Sequence, residues 1–179
     1  MAEEFKRLKR ELVAKGKIID YYQDTMQIPN GNIAVWDFIR HKGAAAVVPV
    51  REDGKILMVR QYRNALERET LEIPAGGLNG EEEPTVQAAR RELQEETGCS
   101  CGTLEFLLSI RTTVAFCNEK IDIYVAKDLT PGEQHLDEDE FVKVQAWDLS
   151  DLIDLIYQGK IEDAKTISAL LAYARKYGK

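Results

Sequence analysis

The apolar segment at residues 44–50 constrains the fold more than any other part of this sequence. It is too short to cross a bilayer, and a turn signal at Asp53-Gly54 follows it, which is typical of a buried β-strand. Strand-like stretches come next at residues 56–62 and 70–73. Together these stretches predict a central β-sheet.

Segments with helical signals flank the predicted sheet. Residues 84–97 predict a helix because a proline stands where a first helical turn tolerates one and Gly98 follows as a stop signal. Further strands are predicted at residues 104–111, 120–126 and 141–147, and further helices at 150–158 and 163–177. This mixture of strands and helices places the fold in the α/β or α+β class.

The N-terminal part predicts a separate antiparallel element. Residues 18–28 and 33–40 are rich in Ile, Val and aromatic side chains, and the Asn30-Gly31 pair between them favours a type I′ hairpin. Before them, residues 3–13 are compatible with an amphipathic helix that runs into a strand. The pattern does not fix the boundary between the two.

The composition narrows the classes of partner. The formal net charge of −7 over 179 residues would repel nucleic acid from most of the surface, so a phosphate ligand requires local cations or metal ions. The charged N-terminus lacks a signal-peptide pattern and the apolar runs are short, so we expect no membrane association and a cytoplasmic location. Cys99, Cys101 and Cys117 fit reduced thiols rather than a disulfide framework.

The helix predicted at residues 84–97 carries an acidic ridge. Three glutamates fall within an arc of roughly 100° if each residue turns the helix by about 100°. They are Glu92, Glu95 and Glu96. Val86, Ala89 and Leu93 share a neighbouring arc, so the helix can bury an apolar face beside the ridge.

The position of this ridge opposes local preferences. Carboxylates near the C-terminal end of a helix face its negative pole, and like charges at i, i+4 repel. A divalent cation such as Mg²⁺ would offset that cost, because it takes oxygen ligands and retains substrate phosphates. The alternative is a solvated helix whose glutamates pair with Arg68, Arg90 and Arg91.

The spacing of the whole segment favours the metal hypothesis. A glycine is followed after five residues by glutamate, and after seven more by Arg-Glu-Leu-x-Glu-Glu-x-Gly. The matching residues are Gly77, Glu83, Arg91, Glu92, Leu93, Glu95, Glu96 and Gly98. So many matches at fixed spacing have a chance probability on the order of one in a billion per starting position. The segment resembles the Nudix box, with Cys99 in the usual aliphatic final position.

The resemblance implies an α/β/α sandwich with a mixed sheet, and catalysis with Mg²⁺ or, in its place, Mn²⁺. The implied metal ligands are Glu92, Glu95, Glu96 and the backbone carbonyl of Ala75. Glu83 would lie in or beside the metal shell, and Arg91 would orient a glutamate of the box. Gly77 and Gly98 would serve backbone geometry.

The implied chemistry is attack of a metal-positioned water on a diphosphate, which yields two phosphate products. A carboxylate must accept the proton of that water. The candidates are Glu96 and, from loops beyond the box, Glu119, Glu138 and Glu140. The sequence does not choose among them.

Nearly the full chain resembles the ADP-ribose pyrophosphatase branch of the family. The matching stretches begin at His41, Val59, Leu71 and Leu136. By this resemblance Arg63 would contact substrate phosphate, Trp36 would stack on a base or belong to a dimer core, and Phe116 would lie in the loop that shapes the sugar end. Residues 1–41 would form a small antiparallel β extension exchanged between the subunits of a homodimer, and residues 42–179 the hydrolase domain.

One loop departs from the pattern of this branch. Where the branch has Ser-Pro-Gly-Phe, this chain has Thr113-Val114-Ala115-Phe116, without the fixed φ of proline or the freedom of glycine. We therefore expect a nucleoside diphosphate sugar, with ADP-ribose as the leading substrate and ADP-glucose, GDP-mannose or a dinucleotide as alternatives. A non-catalytic nucleotide-sugar sensor is a third hypothesis, and the complete carboxylate set argues against it.

Overall fold

The computed structural model describes residues 4–136 and 140–178. The chain divides into two compact units, Met1–Gly43 with Arg111–Lys120 and Ala44–Ile110 with Ile121–Lys179. None of the helices in the described ranges combines the length and the hydropathy that a bilayer-spanning helix needs.

The first unit is built on a three-stranded antiparallel sheet. Its strands are β1 (Lys6–Lys15), β2 (Asp20–Gln27) and β3 (Ile33–Arg40), in the order β1-β2-β3. The predicted hairpin is confirmed, because the chain turns between β2 and β3 at Gly31, whose φ of 87° suits glycine. The predicted type I′ turn is wrong, because Asn30 lacks the positive φ that this type requires. The open question at the N-terminus is also answered, since residues 6–13 of the predicted helical segment lie in strand β1.

The second unit contains two sheets, one mixed and one antiparallel. Its strands are β4 (Ala44–Pro49), β5 (Ile56–Arg63), β6 (Arg68–Glu72), β7 (Ala75–Gly77), β8 (Ser100–Arg111), β9 (Lys120–Thr130) and β10 (Lys143–Trp147). The mixed sheet has the order β7-β4-β9-β8, with β4 parallel to β9 and antiparallel to β7. The antiparallel sheet has the order β10-β5-β6.

Helices cover both faces of the mixed sheet. They are α1 (Thr85–Thr97), α2 (Leu149–Tyr157) and α3 (Ala164–Tyr177). Every residue of β4 is buried, with Ala45 and Val47 in the core that contains α1, and Ala46 and Val48 in the core that contains α2 and α3. The unbroken apolar run at this strand therefore reflects burial on both sides. The result is the expected α/β/α sandwich.

The ends of the helices agree with the local signals. Gly98 ends α1 with a left-handed φ of 72°, and its N–H donates to the carbonyl of Gln94 at 2.9 Å. At the start of α3, the side chain of Asp163 accepts from the N–H of Thr166 at 2.9 Å. The hydroxyl of Thr166 in turn accepts from the N–H of Ile73 at 3.1 Å, which joins α3 to the segment between β6 and β7.

The sequence did not predict β7 and underestimated two other strands. β7 consists of Ala75, Gly76 and Gly77, which have low strand propensity but pair with residues 44–46 of β4. β8 begins before residue 104 and β9 continues past residue 126, because pairing between neighbouring strands extends them beyond their apolar patterns. The sheet context overrides local propensity at these places.

Candidate active site

Helix α1 buries two of its three ridge glutamates. Glu92 and Glu96 are 8% and 3% exposed, whereas Glu95 is half-buried. The apolar side of the helix consists of Ala88, Ala89 and Leu93. Val86 was predicted to join that side and does not, because it lies in the first turn, before the buried part of the helix, and is 39% exposed.

Strand β7 brings backbone up to both buried carboxylates. The N–H of Ala75 donates to Glu96 Oε2 at 3.0 Å. A Cβ on Gly76 would lie 2.2 Å from Glu92 Oε1, so the absence of a side chain leaves room for that carboxylate. The two carboxylates therefore meet consecutive residues of one short strand.

Arg91 connects the acidic residues of the box. Its Nη1 donates to Glu92 Oε1 at 2.6 Å and to Glu95 Oε2 at 2.8 Å. The same guanidinium donates to the carbonyl of Gly77 at 3.0 Å and to Glu83 Oε1 at 3.4 Å. These contacts orient the glutamates and tie the helix to the loop that precedes it.

The alternative hypothesis was a solvated helix whose glutamates pair with Arg68, Arg90 and Arg91. Of these three arginines, all of them within the described ranges, only Arg91 contacts the ridge glutamates. Arg90 donates to the carbonyl of Cys101 at 3.1 Å, and Arg68 pairs with Glu162. The burial of Glu92 and Glu96 also differs from a water-exposed face. Two of the three ridge glutamates are therefore internal rather than solvated.

Residues 131–136 lie along the C-terminal end of α1. The N–H of His135 donates to the carbonyl of Glu95 at 3.1 Å, and the side-chain amide of Gln134 donates to the carbonyl of Glu96. Carbonyls in the last turn of a helix lack partners within the helix. These two hydrogen bonds supply the missing donors and fix the segment that leads towards Glu140.

Burial raises the pKa of both internal glutamates. The pKa of Glu92 rises to about 7, with the ion pair to Arg91 opposing the effect of burial. The pKa of Glu96 rises to about 8, although the hydrogen bond from Ala75 opposes that shift. The nearby charge of Glu140 adds to both increases. Without a cation, the Glu96 carboxyl therefore keeps its proton at neutral pH, and the Glu92 carboxyl is about half protonated.

These shifts predict how the stability of the metal-free protein depends on pH. In the unfolded chain a glutamate titrates near pH 4.5, so between that pH and about 8 the folded protein binds more protons than the unfolded one. Stability should therefore fall as the pH rises. In EDTA we expect the free energy of unfolding to be lower at pH 8.5 than at pH 6 by about 2–4 kcal/mol.

Urea unfolding at the two pH values measures this difference. The variant Glu96→Gln should retain less than half of it, because its amide does not titrate. Equal pH dependence in the two proteins would contradict the raised pKa of Glu96.

Arg63 is paired with a buried carboxylate at the end of β5. Its Nε and Nη2 donate to the two oxygens of Glu72 at 2.8 and 2.7 Å. Glu72 also accepts from Lys165 Nζ, and from Thr70 Oγ1 at 2.6 Å. The pKa of Arg63 is raised first by its hydrogen bond to Glu72 and also by the charge of Glu96, so the guanidinium lies within electrostatic range of the box.

Three of the predicted site residues belong to the first unit. Trp36 is half exposed, and its ring centroid lies 5.8 Å from that of Phe5. Phe116 is also half exposed. Glu119 accepts from the hydroxyl of Thr112 at 2.7 Å.

The glutamates of the box and Glu119 have protein donors as partners. Within residues 4–136 and 140–178, no three acidic, histidine or cysteine side chains converge closely enough to enclose a metal ion. Glu92 and Glu95 face Arg91 instead, so binding of a cation would require them to exchange this partner. Glu138, one of the predicted bases, lies outside the described residues.

Two charged residues near the site were missed by sequence analysis. Glu72 could have been noticed, because it is an acidic residue in a predicted buried strand and lies within the matching stretch that begins at Leu71. Lys165 gives no such signal, since it reaches Glu72 from a helix 93 positions further along the chain.

Comparison with known proteins identifies the family. The model of the NUDIX domain matches residues 40–170. The chain belongs to the Nudix family. The methanol dehydrogenase activator of Bacillus methanolicus is 41% identical to this Nudix chain over 93% of its residues and 91% of the relative. The ADP-ribose pyrophosphatase of Bacillus subtilis (strain 168) is 40% identical over 97% of this chain and 92% of the relative.

A solved structure supports the same identification. The crystal structure of an ADP compounds hydrolase matches with a TM-score of 0.85 and 26% identity, covering 96% of this Nudix chain and 93% of the other. The predicted Nudix fold, with its small antiparallel N-terminal sheet, and membership of the Nudix hydrolases are therefore confirmed.

Proposed function

We propose that this Nudix chain hydrolyses the diphosphate bond of ADP-ribose, or of a closely related nucleoside diphosphate sugar, to a nucleoside monophosphate and a sugar phosphate. The observation that carries the proposal is the joint burial of Glu92 and Glu96 against the backbone of Ala75 and Gly76. Burying two carboxylates at one place costs free energy, and a bound divalent cation would offset that cost.

The types of donor found here suit Mg²⁺, or Mn²⁺ in its place, once Arg91 releases Glu92 and Glu95 and the carboxylates converge. Both cations prefer carboxylate and carbonyl oxygens, which Glu92, Glu95, Glu96 and the carbonyl of Ala75 would supply. The space that a side chain on Gly76 would fill is taken by the carboxylate of Glu92. When bound, the metal would neutralise the diphosphate and acidify the attacking water.

The side chains of the protein would supply proton transfer and orientation. Two described residues of the second unit, Glu96 and Glu140, are candidates for accepting the proton of the water. They lie close enough to each other for their charges to interact. Glu119 and Glu138 are the other candidates from loops. Arg63 would contact a phosphate of the substrate through its guanidinium.

The preference for an adenosine substrate rests on similar proteins and on exposed aromatic side chains. Two of the similar proteins are named ADP-ribose pyrophosphatase and ADP compounds hydrolase. Trp36 and Phe116 offer half-exposed rings on which a base could stack. The loop at Val114, a residue that is 85% exposed, departs from the sequence pattern of the branch. Because of this departure, ADP-glucose, GDP-mannose and a dinucleotide are kept as alternative substrates.

The proposal is tested by product release from a panel of nucleotide sugars. Purified protein is incubated with ADP-ribose, ADP-glucose, GDP-mannose and a dinucleotide, each with Mg²⁺ and with EDTA. We expect Mg²⁺-dependent release of AMP, fastest from ADP-ribose. Faster cleavage of a hexose substrate would favour the alternative substrates, whereas binding without any cleavage would favour the sensor.

A substitution at Gly76 tests the position of Glu92. In Gly76→Ala the new methyl group would displace the carboxylate of Glu92, which is the end of a flexible side chain and can rotate away without unfolding the protein. We expect kcat/KM for ADP-ribose to fall by about a hundredfold, because small displacements of reacting groups have effects of that size. The melting temperature should change little.

Gly80→Ala is the matched control for this variant. A Cβ on Gly80 would meet no atom within 4 Å, so activity should stay within about twofold of the unmodified protein. Normal activity of Gly76→Ala would contradict a role for the Glu92 carboxylate at its present position.

We also propose that residues 1–41 form the contact of a homodimer. The sheet of the first unit leaves large apolar side chains exposed, among them Leu8, Leu12, Val13 and Val35. Exposed apolar surface of this kind is typical of association sites. Light scattering after size exclusion should give twice the chain mass of 20.3 kDa, and a monomer would contradict the proposal.

The remaining expectations concern location and other partners. All three cysteines are free, which is consistent with the cytoplasm as the proposed compartment. The net charge of −7 argues against nucleic acid as a partner.

A further inference from the structure

Glu72 lies at the centre of a buried charged network next to the candidate site. The residue is 2% exposed on β6. Its two oxygens accept from Nε and Nη2 of Arg63, from Nζ of Lys165 and from the hydroxyl of Thr70. A carboxylate has about four acceptor positions, so all of them are used here.

The network gives Glu72 a fixed charge and a fixed position. Burial alone would raise the pKa of Glu72, but the hydrogen bonds from Arg63 and Lys165 outweigh it and hold the pKa at about 2. Lys165 also pairs with Asp163 at 2.9 Å, so the buried charges are balanced. Buried ion pairs often contribute no more stability than apolar side chains of similar size, so stability alone is a weak reason for this arrangement.

The contacts of Arg63 leave part of its guanidinium available. Glu72 engages Nε and Nη2, and the side chain of Arg63 is 41% exposed. Arg63 also lines a cavity of about 420 Å³, together with Arg68 and Lys160 and with the acidic Glu162 and Asp163. An anionic group that reaches the exposed part of the guanidinium would therefore meet an arginine whose orientation is already set.

We propose that Glu72 is a positioning residue, which fixes the guanidinium of Arg63 in the orientation that receives the diphosphate. The inference rests on the proposed function, in which Arg63 contacts a phosphate. An arginine paired through two parallel hydrogen bonds loses little further side-chain freedom when a ligand binds. The contribution of Glu72 to binding would thus act entirely through Arg63.

A double-mutant cycle separates this role from a purely structural one. Binding of ADP in the presence of Mg²⁺ is measured by calorimetry for the unmodified protein, Glu72→Gln, Arg63→Ala and the double variant. We expect Glu72→Gln to weaken binding about tenfold, as is usual for groups that orient a ligand-binding side chain. In the Arg63→Ala background the same change should alter ADP binding less than twofold, because the guanidinium that Glu72 orients is absent.

Lys165→Met is the control for a loss of stability. It removes one partner of Glu72 and leaves the paired hydrogen bonds to Arg63 in place. We expect a lower melting temperature and an ADP affinity within threefold of the unmodified protein. If Glu72→Gln resembles this control, or weakens binding equally in both backgrounds, the positioning role is wrong.

A second variant covers the case in which Glu72→Gln does not fold. Glu72→Asp retains the charge but withdraws the carboxylate by one methylene, and it should also weaken ADP binding only when Arg63 is present. Failure of the unmodified protein to cleave any diphosphate would overturn the proposed function, while the ADP cycle would still decide the role of Glu72. Undetectable ADP binding by the unmodified protein would overturn the inference itself.

Discussion

Glu96→Gln is expected to lower kcat for ADP-ribose hydrolysis by about a hundredfold or more while the fold stays intact. Glutamine has nearly the same size, and its oxygen can still accept the hydrogen bond that Ala75 donates at 3.0 Å. It cannot supply a negative oxygen to a cation or accept the proton of the attacking water. Steady-state kinetics at saturating Mg²⁺ measures the loss, and circular dichroism reports on the fold.

Glu82→Gln provides the matched comparison. Glu82 is exposed in the loop before α1, so the same chemical change there should leave kcat within about twofold. Near-normal turnover of Glu96→Gln would show that this side chain has no part in the reaction.

Leu93→Ala is expected to lower the free energy of unfolding by about 3–5 kcal/mol. Leu93 is completely buried between α1 and the mixed sheet, in the core that also contains Ala45 and Val47. Truncation removes apolar contacts and leaves a cavity that close-packed neighbours fill only in part. Urea unfolding followed by circular dichroism gives the change directly.

Val86→Ala is the control on the same helix. Val86 is 39% exposed, so its truncation should cost less than about 1 kcal/mol. Equal losses in the two variants would contradict the assignment of the buried face of α1 to the side that carries Leu93.

Sequence patterns predicted the fold correctly where the local preference of the residues agrees with their environment in the folded chain. The hairpin at Gly31, the buried strand β4 and the stop of α1 at Gly98 each combine a local signal with a matching environment. Strand β7 was missed because its alanine and glycines gain their conformation from pairing with β4. Val86 was misplaced because helical periodicity gives the direction of a side chain but not where the core begins.

In the candidate site, too, the local pattern was predictable and the long-range contacts were not. Box spacing located Glu92, Glu95 and Glu96, since the residues of one helix keep fixed positions relative to each other. It could not show that Gly76 leaves room for the Glu92 carboxylate or that Lys165 pairs with Glu72, because these contacts join segments distant in the chain. Long-range contacts of this kind require the folded structure.

The position of the metal ion is the most direct test of the proposed hydrolase mechanism. A crystal grown with Mn²⁺ and ADP would locate the ion by its anomalous scattering. We predict a metal at about 2.1 Å from carboxylate oxygens of Glu92 and Glu96, with Arg91 displaced from Glu92 and the diphosphate bound to the ion. Retention of the Arg91 pair, with Mn²⁺ absent from these carboxylates, would contradict the account.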